Sequence, residues 1–319
     1  MRKNVFLCFL RNLFALWRCD IYKDIAELKF QINLNAEKLS HVDDRELLFE
    51  ILMYHEVHAD EANMVQEELK FLKQYGLSIF PYLAKKQNPI PEVIYDKDNG
   101  MYYVTHNGKR LYFPTYYDSN RVKMVCSRLI DKESITGDGI LEKCPHQYQS
   151  ETFKIEEGDV LVDVGCAEAL LSLDVIDKVG KVYLIESDLR WMPALIETFA
   201  PYKDKVVFVN KLVTNADSDT TITLATLLKN EQNSSLFIKM DIEGYETQVI
   251  ESSKNFIMKH PKTKFACCTY HKANDAKILE KMFQEYGYET EFSDGFMLFR
   301  LDNLTPPYFR KGVIRAYKK

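Results

Sequence analysis

The chain has 319 residues, of which 46% are hydrophobic, so it can bury a sizeable core, and its length favours two domains. The formal net charge of −5 excludes a globally basic nucleic-acid-binding protein. The seven cysteines are odd in number and lack metal-type spacing, which favours buried free thiols and a reducing, cytoplasmic location.

The first segment, residues 1–19, carries four basic side chains and no acidic one. Its apolar runs are too short to span a bilayer, and no small-residue cleavage site follows, so we expect neither a membrane span nor a signal peptide. Asn4, Arg11 and Arg18 recur every seven residues and would form one polar stripe on a helix. The stripe favours a docking helix, with peripheral membrane contact as the alternative.

Helix-like spacing of apolar residues continues over 20–75, and the sequence predicts a helical N-terminal region over 1–85. Residues 41–70 hold nine acidic side chains against Arg45 and Lys70, which is typical of a solvated helix face. Pairing of this acidic stretch with basic ends of a second subunit would give a homo-oligomer.

A second region, 86–150, begins with three short β-type runs between 92 and 114. They are separated by Asn-Gly turns at Asn99-Gly100 and Asn107-Gly108, which predicts a small antiparallel meander. The rest of the region is read as a connecting segment.

From residue 151 the pattern alternates between strands and helices. Val160 to Val164 reads as a buried strand, followed by a tight turn and a helix over 169–179. A second strand, 182–186, ends in Glu186, about twenty residues after the turn. This is the layout of a βαβ nucleotide site, in which small residues admit the ligand and the acid bonds ribose hydroxyls.

The most informative segment is 237–246, where a lysine and three carboxylates follow an apolar run. Alternation along a strand would point Lys239, Asp241 and Glu243 the same way. Charge at the carboxyl end of a buried strand marks the edge where open α/β sheets bind ligands.

Further elements complete the predicted sheet. The sequence indicates a strand over 206–209, a helix over 245–259, a strand over 265–270 and an amphipathic helix over 275–286 that turns Ile278, Leu279, Met282 and Phe283 inward. A closing hairpin is expected from 289–292 and 296–299, and a basic tail over 306–319.

Together these motifs resemble the FkbM family of S-adenosylmethionine-dependent methyltransferases. The likeness rests on Asp163 to Ala169, on Glu186-Ser187 and on Lys239 to Glu246, and it covers about residues 145–305. It implies an α/β fold, a Rossmann-like class I methyltransferase doubly wound sheet, in a cofactor-binding domain over 151–305. It also implies methylation of a hydroxyl on a sugar or related metabolite in surface polysaccharide biosynthesis.

The resemblance also suggests site roles. The turn residues Asp163, Gly165, Cys166 and Ala167 would hold the methionine end of S-adenosylmethionine. Glu186 and Ser187 would lie at its ribose, and Asp241 would lie beside both cofactor and acceptor.

The catalytic candidates form one set: Lys239, Asp241, Glu243 and His271. Asp241 or Glu243 could take the acceptor proton, and His271 follows the fifth strand at the same edge. His146 and Tyr148 are interpreted as a lid over the cofactor.

Two alternatives stay open: an NAD(P)-dependent oxidoreductase, and a non-catalytic interaction protein with a nucleotide fold. The absence of G-x-G-x-x-G disfavours the first, and the intact site residues disfavour the second. Asp241, Glu243 and His271 are also metal-ligand types, but their spacing does not require a metal, and none is predicted.

Overall fold

The computed structural model describes residues 43–299 and 304–318. The chain divides into two compact units, Met1–Ala59 and Asp60–Lys319. In the first unit, residues 43–57 are helical (α1). The stripe predicted over 1–19 lies outside the described residues. Among the described residues, no helix is both long enough and apolar enough to cross a membrane.

Two more helices follow, α2 (Ala59–Met64) and α3 (Gln66–Tyr75). Gly76 ends α3 with φ +83°, and its N–H donates to the carbonyl of Leu72 at 2.9 Å. The predicted helical character is therefore confirmed over the described part, 43–75.

The predicted meander is confirmed. It consists of β1 (Val93–Asp96), β2 (Met101–His106) and β3 (Lys109–Tyr112), paired antiparallel in the order β1-β2-β3. Asn107 and Gly108, both with positive φ, form the tight turn between β2 and β3, as an Asn-Gly pair favours. After the meander come α4 (Ser119–Ser127) and a π-helical turn at Arg128–Lys132.

The central sheet has seven strands in the order β11-β12-β10-β9-β4-β5-β6. Five of them are parallel: β4 (Val160–Val164), β5 (Lys181–Ile185), β6 (Val206–Val209), β9 (Leu236–Met240) and β10 (Thr263–Cys268). From β4 the chain winds outward to β6, then returns to place β9 on the other side of β4. The reversal lies between β4 and β9, and ligands bind at such a switch point in doubly wound sheets.

Helices cover the sheet. They are α5 (Leu170–Val175), a 3₁₀ turn at Leu189–Trp191, α6 (Met192–Phe199), α7 (Leu224–Leu227), α8 (Glu246–Ser252), α9 (Lys254–Lys259) and α10 (Asp275–Glu285). A short parallel pair, β7 (Leu212–Val213) and β8 (Thr221–Ile222), lies before α7. Pro193 lies in the first turn of α6, as predicted.

Two apolar clusters sandwich the sheet. Leu161 and Phe237 belong to one, whereas the next residues along their strands, Val162 and Ile238, belong to the other. This alternation explains why the parallel strands read as continuous apolar runs. The thiols of Cys267 and Cys268 are buried on opposite faces, and the five cysteines among the described residues are free.

Several predicted bounds differ from the structure. The helix over 169–179 is helical only to Val175, and the helix over 245–259 is broken at Ser253 into α8 and α9. The fifth strand ends at Cys268 rather than at residue 270. On α10, Leu279 and Phe283 are buried as expected, but Ile278 is 41% exposed, so its inward assignment is wrong.

The predicted closing hairpin is also wrong. β11 (Glu289–Phe292) pairs antiparallel with β12 (Val313–Tyr317), which in turn pairs with β10, while Met297 forms only an isolated bridge to Arg310. The stretch expected to be a basic tail therefore supplies an internal strand. Local turn signals at Asp294-Gly295 could not reveal a partner that lies beyond residue 310.

Candidate active site

A cavity of about 720 Å³ opens at the carboxyl ends of β4, β5, β9 and β10. Its wall includes the predicted cofactor residues Asp163, Gly165, Cys166, Ala167, Glu186 and Ser187, and the predicted catalytic residues Lys239, Asp241 and Glu243. The structure thus brings both motifs to one site at the switch point of the sheet.

The turn after β4 requires unusual backbone conformations. Gly165 has φ +71°, and a Cβ added there would lie 1.9 Å from the carbonyl oxygen of Asp241. Ala167 and Ala169 also have positive φ, at 45° and 58°, where alanine is strained. The turn keeps the shape that a glycine-rich loop would adopt, although two of its positions are alanine.

Lys239 fixes this turn. Its ammonium lies 3.0 Å from Asp163 Oδ1 and donates to the carbonyl of Gly165 at 2.6 Å. Ser172 donates to the other oxygen of Asp163 at 2.7 Å. Although burial alone would lower it, the carboxylates of Asp163 and Asp241 hold the pKa of Lys239 above its ordinary value. Lys239 is therefore a positively charged brace between β9 and the turn.

Glu186 is placed at the opposite side of the turn. One carboxylate oxygen accepts from the N–H of Ala167 at 3.0 Å, and the other accepts from the N–H of Asp188 at 2.8 Å. Each oxygen keeps a further lone pair, so the side chain can still accept hydroxyl donors. Ser187 beside it is exposed at the cavity.

Asp241 is the centre of the polar network. Tyr148 donates to its Oδ2 at 3.2 Å, and Tyr270 donates to its Oδ1 at 3.1 Å. His146 Nε2 lies 3.5 Å from Oδ2, and His271 Nε2 lies 3.4 Å from Oδ1. Burial opposes ionisation, but His146, Lys239 and His271 together hold the pKa of Asp241 far below its usual range.

Each histidine is backed by a carboxylate. His146 Nδ1 lies 3.3 Å from Glu133, which is paired with Arg128 at 2.8 Å. His271 Nδ1 lies 3.1 Å from Glu246. Burial would lower the pKa of both histidines, but the surrounding acidic groups raise it, strongly so for His146. Two carboxylate–histidine pairs thus flank one carboxylate.

The two histidines differ in their access to the cavity. His146 lines the cavity, whereas His271 is buried behind Asp241 and is not part of the wall. Because β9 ends at Met240, Glu243 does not continue the strand face; it has φ +55° and a side chain that is 77% exposed. Glu243 therefore lies at the mouth of the cavity, 3.6 Å from His271 Nε2.

Some site residues escaped the sequence reading. His146 and Tyr148, interpreted as a lid, are buried in the floor and contact Asp241. Glu133 comes from the π-helical region, for which no motif was recognised. Glu168 lies within the turn motif and lines the cavity, and burial raises its pKa to about 7. Its position between Ala167 and Ala169 in the turn motif is the sequence signal that could have identified Glu168 as a site residue.

Two basic residues of the expected tail also serve this site. Arg310 donates to the carbonyls of Tyr270 and His271 at 2.7 and 2.8 Å. Arg315 donates to the carbonyls of Gln147 and Tyr148 at 2.8 and 3.1 Å. These buried guanidiniums fix the two segments that carry the tyrosines on Asp241.

Residues 209–290 match the model of the Methyltransferase FkbM domain. No curated protein matches the chain.

Among solved structures, the chain is similar to a precorrin-6y C5,15-methyltransferase from Geobacter metallireducens GS-15, at 12% identity and a TM-score of 0.36, over 52% of this chain and 82% of that one. A SAM-dependent O-methyltransferase from Thermotoga maritima is 16% identical, with a TM-score of 0.31, over 51% and 60%. Both likenesses are weak, and it is the strand order of the central sheet that identifies the doubly wound fold.

The FkbM match contains β9, the acidic turn after it and His271, which form one half of the site. The other half, the turn after β4, lies on the adjacent strand of the same doubly wound sheet. Residues 209–290 therefore match a methyltransferase domain of the FkbM type, and this match supports an S-adenosylmethionine-dependent methyltransferase.

Proposed function

We propose that the protein transfers a methyl group from S-adenosylmethionine to a hydroxyl of a sugar or related metabolite. The observation that carries this proposal is the placement of Asp241. Its carboxylate lines the cavity, stays ionised and lies 3.5 Å from the cavity histidine His146, while its backbone carbonyl contacts the turn that would hold the cofactor.

The residues present fit S-adenosylmethionine. Gly165 lets the turn after β4 pack directly against the backbone of Asp241 at the cavity wall, and Glu186 offers lone pairs to ribose hydroxyls. Asp163 is held at the base of the turn by Lys239 and Ser172. When bound, the cofactor supplies an electrophilic methyl group on a sulfonium.

In the proposed reaction, the acceptor hydroxyl donates a hydrogen bond to Asp241. Its O–H bond would break as its oxygen took the methyl group that bound S-adenosylmethionine supplies, and S-adenosylhomocysteine would be the leaving group. The proton passes through Asp241 to His146 Nε2. His146 Nε2 lies 3.5 Å from Asp241 Oδ2, so a neutral His146 can take the proton from that oxygen.

Glu133 gives His146 its orientation. With Nδ1 facing Glu133, the Nε2 atom is left to face Asp241 and Tyr148. After proton transfer, the imidazolium lies between two carboxylates, which stabilises it. His146 is therefore the proposed proton acceptor, with Asp241 as the group that positions the hydroxyl.

The wall of the cavity favours a neutral acceptor. Among the described residues, it holds seven carboxylates, against the permanent positive charges of Arg128 and Lys239. A phosphate or carboxylate near the reacting atom would be repelled. The rings of Tyr270 and Phe299, with centroids 4.5 Å apart, add an apolar surface against which a sugar ring can pack.

A role in surface polysaccharide biosynthesis rests on the FkbM likeness. We propose a cytoplasmic enzyme without a nucleic-acid partner, in keeping with the free thiols of the described cysteines. Peripheral membrane contact through residues 1–19 and a homo-oligomer are part of the same proposal.

The decisive experiment compares the wild type with Asp241→Asn, and uses Asp188→Asn as a matched cavity carboxylate already paired with Arg190. Calorimetric titration with S-adenosylmethionine, S-adenosylhomocysteine and NADH measures cofactor choice. Methyl transfer from labelled S-adenosylmethionine to a panel of neutral, amino and acidic sugars measures acceptor choice.

We expect micromolar binding of the first two ligands, none of NADH, and turnover on a neutral sugar. Asp241→Asn should reduce turnover by about 10²–10⁴-fold, the range for a positioned acid–base group, while the fold is kept. NADH binding would favour the oxidoreductase alternative, and undiminished turnover in Asp241→Asn would refute the assignment of Asp241.

A further inference from the structure

A second polar cluster lies behind the wall of the cavity. Ligand-type atoms of Asp241, Glu246 and His271 all lie within 4.8 Å of one another. Glu246 and His271 are buried, and neither is part of the cavity wall. Asp241 therefore faces the cavity on one side and this cluster on the other.

The cluster contains buried polar atoms without hydrogen bonds. Glu246 Oε1 accepts from the N–H of Ile242 at 2.9 Å, but its Oε2 has no hydrogen-bond partner. Both ring nitrogens of His271 are also buried. Carboxylates surround them, but neither nitrogen makes a hydrogen bond of normal geometry. Buried polar groups are nearly always satisfied, so three such atoms in one place point to a missing partner.

The side chains of the cluster itself carry more negative than positive charge. Asp241 and Glu246 are two carboxylates within this cluster, and Asp275, whose charge interacts with that of Glu246, is a third. His271 can supply at most one positive charge.

The lysines and the arginine nearest the cluster make their direct contacts elsewhere, although the charge of Lys239 also acts on Asp241. Lys239 is paired with Asp163, Lys272 donates to the carbonyl of Gly244, and Arg310 donates to two carbonyls. Buried carboxylates are stable when paired or when they coordinate a cation.

We propose that Asp241, Glu246 and His271 bind a divalent cation behind the cavity wall. Imidazole with two carboxylates suits Mn²⁺ or Zn²⁺ better than Mg²⁺, which prefers oxygen ligands and keeps several waters. Glu243, 3.6 Å from His271 Nε2 at the mouth, is the side chain that can add a fourth ligand.

A neighbouring group, His146, Asp241 and Cys268, has similar spacing but is a poorer site. Burial raises the pKa of Cys268 to about 12, so the thiol would have to lose a proton at high cost to act as a ligand. Tyr148 also donates its hydroxyl to this group, close to His146 and Cys268. These contacts already satisfy the atoms a metal would need.

A cation in the first cluster would tie the end of β9 to the segment after β10. It would hold Asp241 from behind while its other oxygen faces the acceptor. Binding of the cation itself does not depend on the proposed methyl transfer, and only its effect on turnover rests on that proposal.

The test uses the full chain, freed of metal with a chelator. Titration with Mn²⁺, followed by calorimetry and electron paramagnetic resonance, measures the number of sites and the affinity. The variants are His271→Gln and Glu246→Gln. His260→Gln is the matched control, because its Nε2 is also buried without a hydrogen bond, but His260 belongs to no such carboxylate cluster in the described part of the chain. Nitrogen NMR of His271 with Zn²⁺ distinguishes a metal-bound ring from an imidazolium.

We expect one Mn²⁺ per chain, weakened at least tenfold in both variants and unchanged in His260→Gln. Where a variant fails to fold, the NMR signal of the wild type decides, and a metal-bound nitrogen is expected. A doubly protonated His271 in the presence of excess Zn²⁺, or equal Mn²⁺ affinity in folded His271→Gln, would overturn the proposal. Failure to bind S-adenosylmethionine would instead count against the proposed function.

Discussion

The α-carbon of Gly165 lies against the backbone carbonyl of Asp241, so close that a Cβ would come within 1.9 Å of that oxygen. Gly165 belongs to the turn proposed to hold the cofactor, and Asp241 is the proposed acceptor-positioning group. The two halves of the site are thus in direct backbone contact across the switch point of the sheet.

This contact predicts the effect of Gly165→Ala. The added methyl group must push the turn away from β9, so we expect loss of cofactor binding and a fall in the free energy of unfolding. Gly158→Ala is the control, because Gly158 has a similar φ of +79° but open space around its Cβ position. In chemical denaturation, the free energy of unfolding of the control should fall by only about 1 kcal/mol, which is the cost of a left-handed conformation for alanine. Equal losses in both variants would contradict the steric explanation.

The buried ion pair of Lys239 and Asp163 predicts strong coupling. Lys239→Met leaves Asp163 buried without its cation, and we expect a loss of about 3–5 kcal/mol in the free energy of unfolding. Asp163→Asn should destabilise for the converse reason. The double variant should recover part of the loss, and a double-mutant cycle by urea denaturation measures this coupling. Simple additivity of the two losses would show that the pair does not act as a unit.

Glu186 predicts a selective loss of cofactor affinity. Glu186→Ala removes the acceptor for the N–H groups of Ala167 and Asp188 as well as the proposed ribose contact. We expect binding of S-adenosylhomocysteine to weaken by roughly tenfold or more, since hydrogen bonds to a charged group contribute about 1.5–3 kcal/mol each. Calorimetry checks this, with Asp188→Asn expected to bind within a few-fold of the wild type.

His146 predicts the pH dependence of turnover. The proton acceptor must be neutral, and its pKa is raised above 6.5, so turnover should be low in acid and rise with pH through that raised pKa. Glu133→Gln should shift the rising limb to lower pH, because it removes a carboxylate that raises the pKa. His146→Gln should abolish the limb. A rate profile for His146→Gln with the wild-type limb intact would exclude this role.

Because Glu168 is buried, we expect the stability of the folded state to depend on pH. Its pKa in the folded state is raised to about 7 by burial, from an ordinary value of 4.5. The folded state therefore binds more protons than the unfolded state between these values, and its stability falls as pH rises from about 4.5 to 7. Glu168→Gln should raise Tm at pH 8 and leave it nearly unchanged at pH 4.5. A stabilisation of equal size at both pH values would rule out the titration of Glu168.

The order of β4, α5, β5 and β6 could be predicted because each segment has its own periodicity and turn residues. The cofactor half of the site follows from the same local signals: Asp163, Gly165 and Glu186 are separated by one strand–turn–helix–strand unit. The FkbM motif likewise located Lys239 and Asp241, since charge at the end of a buried strand is unusual. These features depend on neighbours along the chain.

Only the tertiary structure decided what surrounds Asp241. His146 and Tyr148 reach it from the region before the sheet, and Glu133 lies behind His146. Arg310 and Arg315 hold the adjoining segments from beyond the expected end of the domain. The sequence by itself determined the fold class and the motif ends of two strands, because strand and turn formation are local. It could not pair β12 with β10 and β11, or assign Lys239 to bracing the turn, because those choices depend on contacts between residues far apart in the chain.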